Sequence, residues 1–287
     1  IEGVRAAMLR DGIAMVKALH EIKETVAHGK AMTEMDVPGI LTKYRSQGDN
    51  YVEESFETIA GFGEHGAIVH YAARPDTNAA INSSSLLLID SGANYLDGTT
   101  DITRTIAFGK PTHEQRHDFT LVMKGHIALA MAIWPEGTRG HQLDAMARMP
   151  LWKEGKTYLH GTGHGVGHFL TVHEGPQSVR LNDTGAPLLP GMITSNEPGL
   201  YLSGRYGIRC ENLVLTVEKM ETEFGRFFGF ETLTLCPFDR DLFETAIMSE
   251  AEIRWVNDYH ARVLAALSPY LEGEELDWLR NATLPLI

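Results

Sequence analysis

A chain of 287 residues, 43% hydrophobic and 22% charged, has the composition of a soluble globular protein with room for one large domain or two smaller ones. No apolar run approaches the ~18 residues of a membrane-spanning helix, so no membrane span is expected. The formal charge of −13 argues against a nucleic-acid partner, whose binders carry the opposite sign; it is consistent with cation binding and equally with a plain solubilising surface.

The opening residues, IEGVRAAMLRDG, lack the apolar core and cleavage site of a signal peptide. They begin with Ile rather than Met, as expected of a fragment of a longer protein. Val4, Ala7, Met8, Met15, Val16, Leu19, Ile22 and Val26 recur at helical spacing up to a stop at Gly29, with Asp11-Gly12 as a point of interruption or kinking. A second helix starts at Asp36, where Pro38 falls in the first turn, and runs to about Gln47. Strands are expected at Glu57–Ala60, at Ala67–Tyr71 and at Leu86–Asp90, the last an apolar run ending in a carboxylate. Ile102–Phe108 alternates as its partner strand.

Thr112 to Gln115 fits a capping box, so a long helix follows to about Trp134. Gly140–Glu154 reads as another. Met192–Asn196, Ile208–Val217 and Arg226–Cys236 read as strands. After Pro237 the pattern changes. Ser249 to Glu252 is a second capping box, Ile253 to Leu267 lines a helical face, and Glu274–Arg280 a shorter one. Residues 221–287 read as an appendage to a domain over 1–220. Trp255 and Trp278 are placed either to face a partner or to pack back onto that domain. Cys210 and Cys236, outside any CxxC spacing, suit reduced thiols of a cytoplasmic protein.

Asp90, Asp101, His164, Glu197 and Glu211 each sit in a Gly-rich or Pro-flanked setting. Singly, each has a plain explanation. Asp90 and Asp101 are turn-type residues, yet pairing of their strands would bring two like charges together, a cost that a divalent cation removes. The stretch HGTGHGVGH has Gly161 where HExxH needs Glu, and its alternate glycines do not form GxGxxG. Such glycine density implies unusual backbone angles or close backbone approach, or else a loop. Glu211 lies in an otherwise apolar strand, where an acid is seldom unpaired; Arg209, two residues away, is the simplest partner. Taken together, four carboxylates of about −4 and two divalent cations of about +4 balance well enough for burial. Oxygen-rich ligation with one imidazole suits Mn²⁺, and also Co²⁺, Zn²⁺ or Fe²⁺.

The stretches DSGANYLDGTTDITRT, HGTGHGVGHFLTVHEGP, NEPG and GIRCEN resemble the motifs of the "pita-bread" M24 metallopeptidases. The wording DGTTDITRT with HGTGHGVGHFL is most similar to the cytosolic type of aminopeptidase P (Xaa-Pro aminopeptidases), and FETLTLCPFDRDLF resembles that type's C-terminal extension. The resemblance covers nearly the whole chain. It implies an α/β (α+β) fold of pseudo-twofold curved antiparallel sheets flanked by helices. It also implies further domains ahead of the first helix, which help to close the pocket or form a dimer.

The resemblance implies roles as well. Asp90 would hold one metal, Asp101 and Glu211 would bridge both, and His164 and Glu197 would complete the second. Glu197 would accept a proton from the bridging hydroxide that attacks the prolyl amide carbonyl. His173 would stabilise the tetrahedral intermediate, and His70 and His160 would lie on the substrate side, with His70 a candidate proton shuttle to the leaving nitrogen. Arg209 would support the carboxylates, whereas His168 matches no ligand and is expected in packing or the pocket wall. The implied reaction releases the first residue of peptides with proline second. Prolidase and methionine aminopeptidase share the fold, and a non-catalytic peptide- or histone-binding module is the rival of another class. The resemblance allows a homodimer.

Overall fold

The computed structural model describes residues 1–169 and 171–287; Leu170, inside the His/Gly stretch, lies outside the described residues. Helix α1 (Glu2–Ala27) runs unbroken through Asp11-Gly12, contrary to the interruption expected there. Both residues serve packing. A Cβ on Gly12 would lie 2.4 Å from the Leu235 carbonyl oxygen, and the buried Asp11 carboxylate accepts from Arg45 at 2.8 Å. Arg45 closes helix α2 (Asp36–Arg45), which begins at the expected residue.

Strands β1 (Tyr51–Glu54) and β2 (Ile59–Phe62) follow. The strand expected over residues 67–71 is absent. Residues 63–67 form a 3₁₀ turn instead, because Gly63 takes a positive φ of 56° and Gly66 abuts the backbone of Gly207. Strand β3 (Leu86–Ser91) is wholly buried. Between it and its partner β6 (Ile102–Ala107) the chain makes two short strands, β4 (Ala93–Tyr95) and β5 (Gly98–Thr99). Two antiparallel sheets result, in the orders β2-β3-β6 and β1-β4-β5.

Helix α3 (His113–Ala130) starts on the Thr112/Gln115 capping box. It stops short of Trp134 because Ile133–Pro135 form β7, which pairs at the edge of a sheet. Helix α4 (Gly140–Trp152) precedes the small pair β8 (Gly163–His164) and β9 (Ser178–Val179). Then come β10 (Ile193–Asn196), β11 (Gly199–Leu202), β12 (Tyr206–Arg209), β13 (Asn212–Thr222) and β14 (Gly225–Thr232). The single strand expected over Ile208–Val217 is therefore two. β12 pairs back on β11, while β13 joins a third antiparallel sheet, β10-β13-β14-β7. Cys210 and Glu211 occupy the break.

Helices α5 (Glu250–Leu267) and α6 (Gly273–Ala282) fold back onto the sheets. Their Val256, Val263, Leu267 and Leu279 share the largest apolar cluster with Phe119 and Ile208. Trp255 stacks on Tyr259 with ring centroids 5.5 Å apart, and Trp278 packs beside His20. Both tryptophans thus pack inward. Cys210 and Cys236 are buried free thiols. Among the described residues no helix is long and apolar enough to cross a membrane.

Candidate metal centre

The antiparallel β3–β6 pair sets Asp90 opposite Thr103, and Asp101 directly precedes β6. The β4–β5 excursion returns Asp101 to this place. The Thr100 hydroxyl accepts from the Ala93 N–H at 2.9 Å, and the Ser55 hydroxyl donates to the Thr100 carbonyl at 2.9 Å. Gly92 is obligatory in this fold-back, since a Cβ there would lie 2.0 Å from the same carbonyl oxygen.

The alternate glycines of the His/Gly stretch are explained by close approach. A Cβ on Gly163 would lie 1.8 Å from the Ser195 carbonyl oxygen, and one on Gly165 would lie 2.0 Å from that of Glu174. Neither has a positive φ. Between them, His164 donates its backbone N–H to the Ser195 hydroxyl at 2.9 Å. Its ring Nδ1 lies 2.9 Å from the Gly165 carbonyl. A carbonyl only accepts, so Nδ1 donates there and Nε2 is the ring atom left to face a ligand. That Nε2 faces Asp101 at 3.4 Å and Glu197 at 3.3 Å.

Glu197 follows β10, and its N–H donates to the Thr162 carbonyl at 2.8 Å. Its Oε1 accepts from the Ser195 hydroxyl at 3.0 Å. Glu211, at the β12–β13 break, accepts at Oε2 from Thr103 Oγ1 at 2.7 Å. The Arg209–Glu211 ion pair, the simplest partner for that acid, does not form. Arg209 bonds Asp90 at 2.6 Å and the Tyr201 hydroxyl at 2.7 Å. Asp90 Oδ1 and Glu211 Oε1 are buried without a hydrogen-bond partner among the described residues.

All five expected positions converge. Ligand atoms of Asp90, Asp101 and Glu211 lie within 4.8 Å of one another, as do those of His164, Glu197 and Glu211. The two triads share Glu211. A third grouping adds His173 to Asp101 and His164. Burial and mutual repulsion push the acids upward: Asp101 to about 6, Glu197 to about 7 and Glu211 well above its ordinary range. Burial alone would lower His164, but Asp101 and Glu197 outweigh it and raise the imidazole to about 9. Such a cluster lacks positive charge. Orphaned buried carboxylate oxygens, with the His164 Nε2 aimed among them, fit oxygen-rich coordination of two divalent cations, which would displace the proton from that nitrogen.

A cavity of about 370 Å³ opens on the cluster and is lined also by His70, His160 and His173. His173 sits edge-on to His164, with centroids 4.3 Å apart. His160 donates from Nδ1 to the Gly161 carbonyl at 2.7 Å and accepts at Nε2 from the Tyr201 hydroxyl at 2.8 Å. Burial, with Arg209 nearby, lowers it to about 4. His168 is exposed and lies outside the cavity lining, so it is neither packing nor pocket wall. Sequence reasoning misses Tyr201, which links Arg209 to His160, and the apolar wall of Phe56, Ile59 and Val69. None of these sits in a motif with a chemical signature of its own.

The family profile described as metallopeptidase family M24 matches residues 2–218, and that of the C-terminal region of peptidase M24 matches residues 226–286. The chain belongs to metallopeptidase family M24. Its fold is accordingly the α/β pita-bread fold of that family. Among M24 relatives, a probable Xaa-Pro aminopeptidase P of Laccaria bicolor is 44% identical over all of this chain and 46% of its own length. An X-prolyl aminopeptidase of Caenorhabditis elegans, described as a cytosolic enzyme with a di-nuclear active site, superposes with a TM-score of 0.95 at 41% identity, over 99% of this chain and 47% of that one. The prolidase of Pyrococcus furiosus is more distant, with a TM-score of 0.68 at 29% identity, over 82% of this chain and 63% of that one. The chain spans about half the length of the curated relatives it matches.

Proposed function

We propose that the chain is the catalytic part of an Xaa-Pro aminopeptidase, releasing the first residue from peptides whose second residue is proline. The observation that carries this reading is the shared geometry of the two ligand triads beneath a cavity with histidines on one side and an apolar wall on the other. The relatives' names, Xaa-Pro aminopeptidase and X-prolyl aminopeptidase, agree with it. In this reading Asp90, Asp101, His164, Glu197 and Glu211 hold two divalent ions, Mn²⁺ best among the candidates and Co²⁺, Zn²⁺ or Fe²⁺ next. When bound, the ions supply an activated water and polarise the scissile carbonyl.

The chain's own groups do the rest. Glu197 has Oε1 engaged by Ser195 and Oε2 without a protein partner among the described residues, so Oε2 is the atom that takes and returns a proton. A prolyl amide has no N–H to donate; its ring must be recognised by shape, and Phe56, Ile59 and Val69 offer the apolar surface. His173 is set to donate to the carbonyl oxygen as charge develops there. His70 is the candidate to protonate the departing proline nitrogen, and His160, fixed by Tyr201, orients the peptide. Residues 1–220 form the catalytic part in this reading and 221–287 an extension. A cytoplasmic location is supported by the buried free thiols and by the neighbour described as cytosolic. A homodimer is compatible with the reading.

Metal analysis coupled to hydrolysis of an X-Pro-X peptide tests it, with wild type compared against His164→Ala. The variant is expected to lose metal at one site and nearly all activity; unchanged hydrolysis overturns the site assignment. Xaa-Pro dipeptides and a Met-Ala peptide, assayed in parallel, separate this activity from those of prolidase and methionine aminopeptidase. A wild type that binds no divalent metal and ignores X-Pro peptides would be a binding module instead.

A further inference from the structure

Glu34 has no exposed surface, lies outside every residue set discussed so far, and is surrounded by donors. Its Oε1 accepts from the Phe62 N–H at 2.7 Å and from His65 Nδ1 at 2.8 Å. Its Oε2 accepts from the Tyr71 hydroxyl at 2.9 Å and from the Ala79 N–H at 2.9 Å. Phe62 is where the chain leaves β2, and Ala79 is where it comes back to the segment beside Glu34, whose own N–H donates to the Ala79 carbonyl at 3.1 Å. One carboxylate therefore binds both ends of the 63–78 excursion and two side chains within it. His65 and Tyr71 stack with centroids 4.5 Å apart, which joins the two interior donors into one unit. This loop contains little regular structure beyond its first 3₁₀ turn, and the buried, fully engaged carboxylate anchors it at its neck, alongside the Gly66–Gly207 contact.

The loop carries Val69 and His70, both of which line the cavity over the metal centre. It contributes nothing to the grouped acids and imidazoles beneath. The loop thus supplies one wall of the cavity but none of its floor.

We propose that Glu34 is a positioning residue: by closing the neck of the 63–78 loop it sets the place of Val69 and His70 in the peptide-binding cavity, independently of the metal centre. This rests on the peptidase reading above for its kinetic consequence only; the structural consequence stands alone.

Glu34→Gln tests it with little change in volume. An amide has only one accepting oxygen, and its NH₂ must face donors on the other side, either Phe62 and His65 or Tyr71 and Ala79. Tyr71→Phe is the milder companion, removing one donor and leaving the carboxylate three. Steady-state hydrolysis of an X-Pro-X peptide, metal content and limited proteolysis are measured on both. Both variants are expected to keep the wild-type metal content. KM is expected to rise about tenfold in Glu34→Gln, the equivalent of one broken buried hydrogen bond, and less in Tyr71→Phe. Proteolytic cleavage within residues 63–78 is expected to quicken in the same order. Unaltered KM and cleavage overturn the proposal, and so does a joint loss of metal and KM, which would make Glu34 a support of the whole domain. Should Glu34→Gln not fold, the Tyr71→Phe comparison decides. A wild type without X-Pro hydrolysis refutes the peptidase reading, and the cleavage comparison then decides the role of Glu34.

Discussion

Arg209 holds Asp90 through Nη2 at 2.6 Å and the Tyr201 hydroxyl through Nη1 at 2.7 Å. One guanidinium thus fixes a carboxylate on the metal side and, through Tyr201, the ring of His160 on the substrate side. A planar fork can span two acceptors in this way, whereas the point charge of lysine cannot. Arg209→Lys is expected to weaken divalent-metal binding by about 10- to 100-fold, as is usual when a ligand's supporting partner is lost. Tyr201→Phe releases His160 and one arm of Arg209 but leaves the Arg209–Asp90 pair in place; it should disturb metal affinity less than Arg209→Lys and raise KM. Chelator competition reads the first effect and steady-state kinetics the second. A titration of Arg209→Lys that overlays wild type would remove the supporting role.

The carboxylate cluster predicts how pH acts on the metal-free protein. Asp101, Glu197 and Glu211 are raised above the ordinary carboxyl range, and His164 is raised to about 9. All four groups therefore bind protons in the folded state that the unfolded chain has released. Their contribution to stability is fully present below about pH 4, the unfolded carboxyl range, and is lost as pH rises through their folded values. For Asp101, Glu197 and His164 the loss spans roughly pH 4 to 9, and Glu211 adds to it in the same direction. Divalent ions held by these candidate ligands would replace those protons, and the loaded protein would escape the loss. The difference in Tm between metal-loaded and chelator-treated protein should widen steadily with pH. Comparing the two forms cancels the surface ion pairs, which titrate alike in both. A constant difference would contradict the cluster's role.

Much of this site was legible because each candidate ligand sits in a short motif whose oddity is chemical: an acid ending an apolar strand, an imidazole among glycines, an acid inside an apolar run. Convergence of the five also follows from antiparallel pairing of β3 with β6 and of β10 with β13. The elements that misled are those in which tertiary packing overrides local preference. Asp11-Gly12 looks like a break but pays for contacts with Arg45 and Leu235. The apolar run 67–71 looks like a strand, yet Gly66 must meet the Gly207 backbone. Glu34 and Tyr201 carry no local signature at all; the partners of Glu34 lie 28 to 45 residues away and His160 lies 41 residues from Tyr201, so only the fold brings them together.

Arg104 is a buried cation whose hydrogen-bond acceptors among the described residues include no carboxylate. It donates to the carbonyls of Thr103, Glu211, Cys236 and Pro237, and to Asn212 Oδ1 and the Tyr259 hydroxyl. The β12–β13 break bearing Glu211 is thereby clipped to the segment leading into α5. Removing the guanidinium leaves several buried acceptors unpaired, each costing about 1–3 kcal/mol. Arg104→Met is expected to lower unfolding free energy by about 3 kcal/mol or more, measured by urea denaturation of the metal-free protein. Metal affinity should fall as well, because the Glu211 backbone loses its anchor. A loss below about 1 kcal/mol would mean that the clip is dispensable.

Two glycines with opposite surroundings test the account of the His/Gly stretch. Gly163 precedes His164 in β8, and a Cβ there would lie 1.8 Å from the Ser195 carbonyl oxygen. The obstacle is backbone on both sides, so the strands must part for alanine to fit. Ser195 also accepts the His164 N–H and donates to Glu197, so parting them displaces two of the five candidate ligands at once. Gly163→Ala should cost about 1–3 kcal/mol of stability, as overpacking does, and should lower metal affinity with it. Gly39, in the first turns of α2, has nothing within 4 Å of its added Cβ and helical backbone. Gly39→Ala should stabilise by about 0.5–1 kcal/mol and leave metal binding alone. If both substitutions acted alike, the glycines of the stretch would be there for chain flexibility. Opposite signs, with metal affinity following only Gly163, would show that they are there because the backbone carrying Ser195 has to come that close to His164.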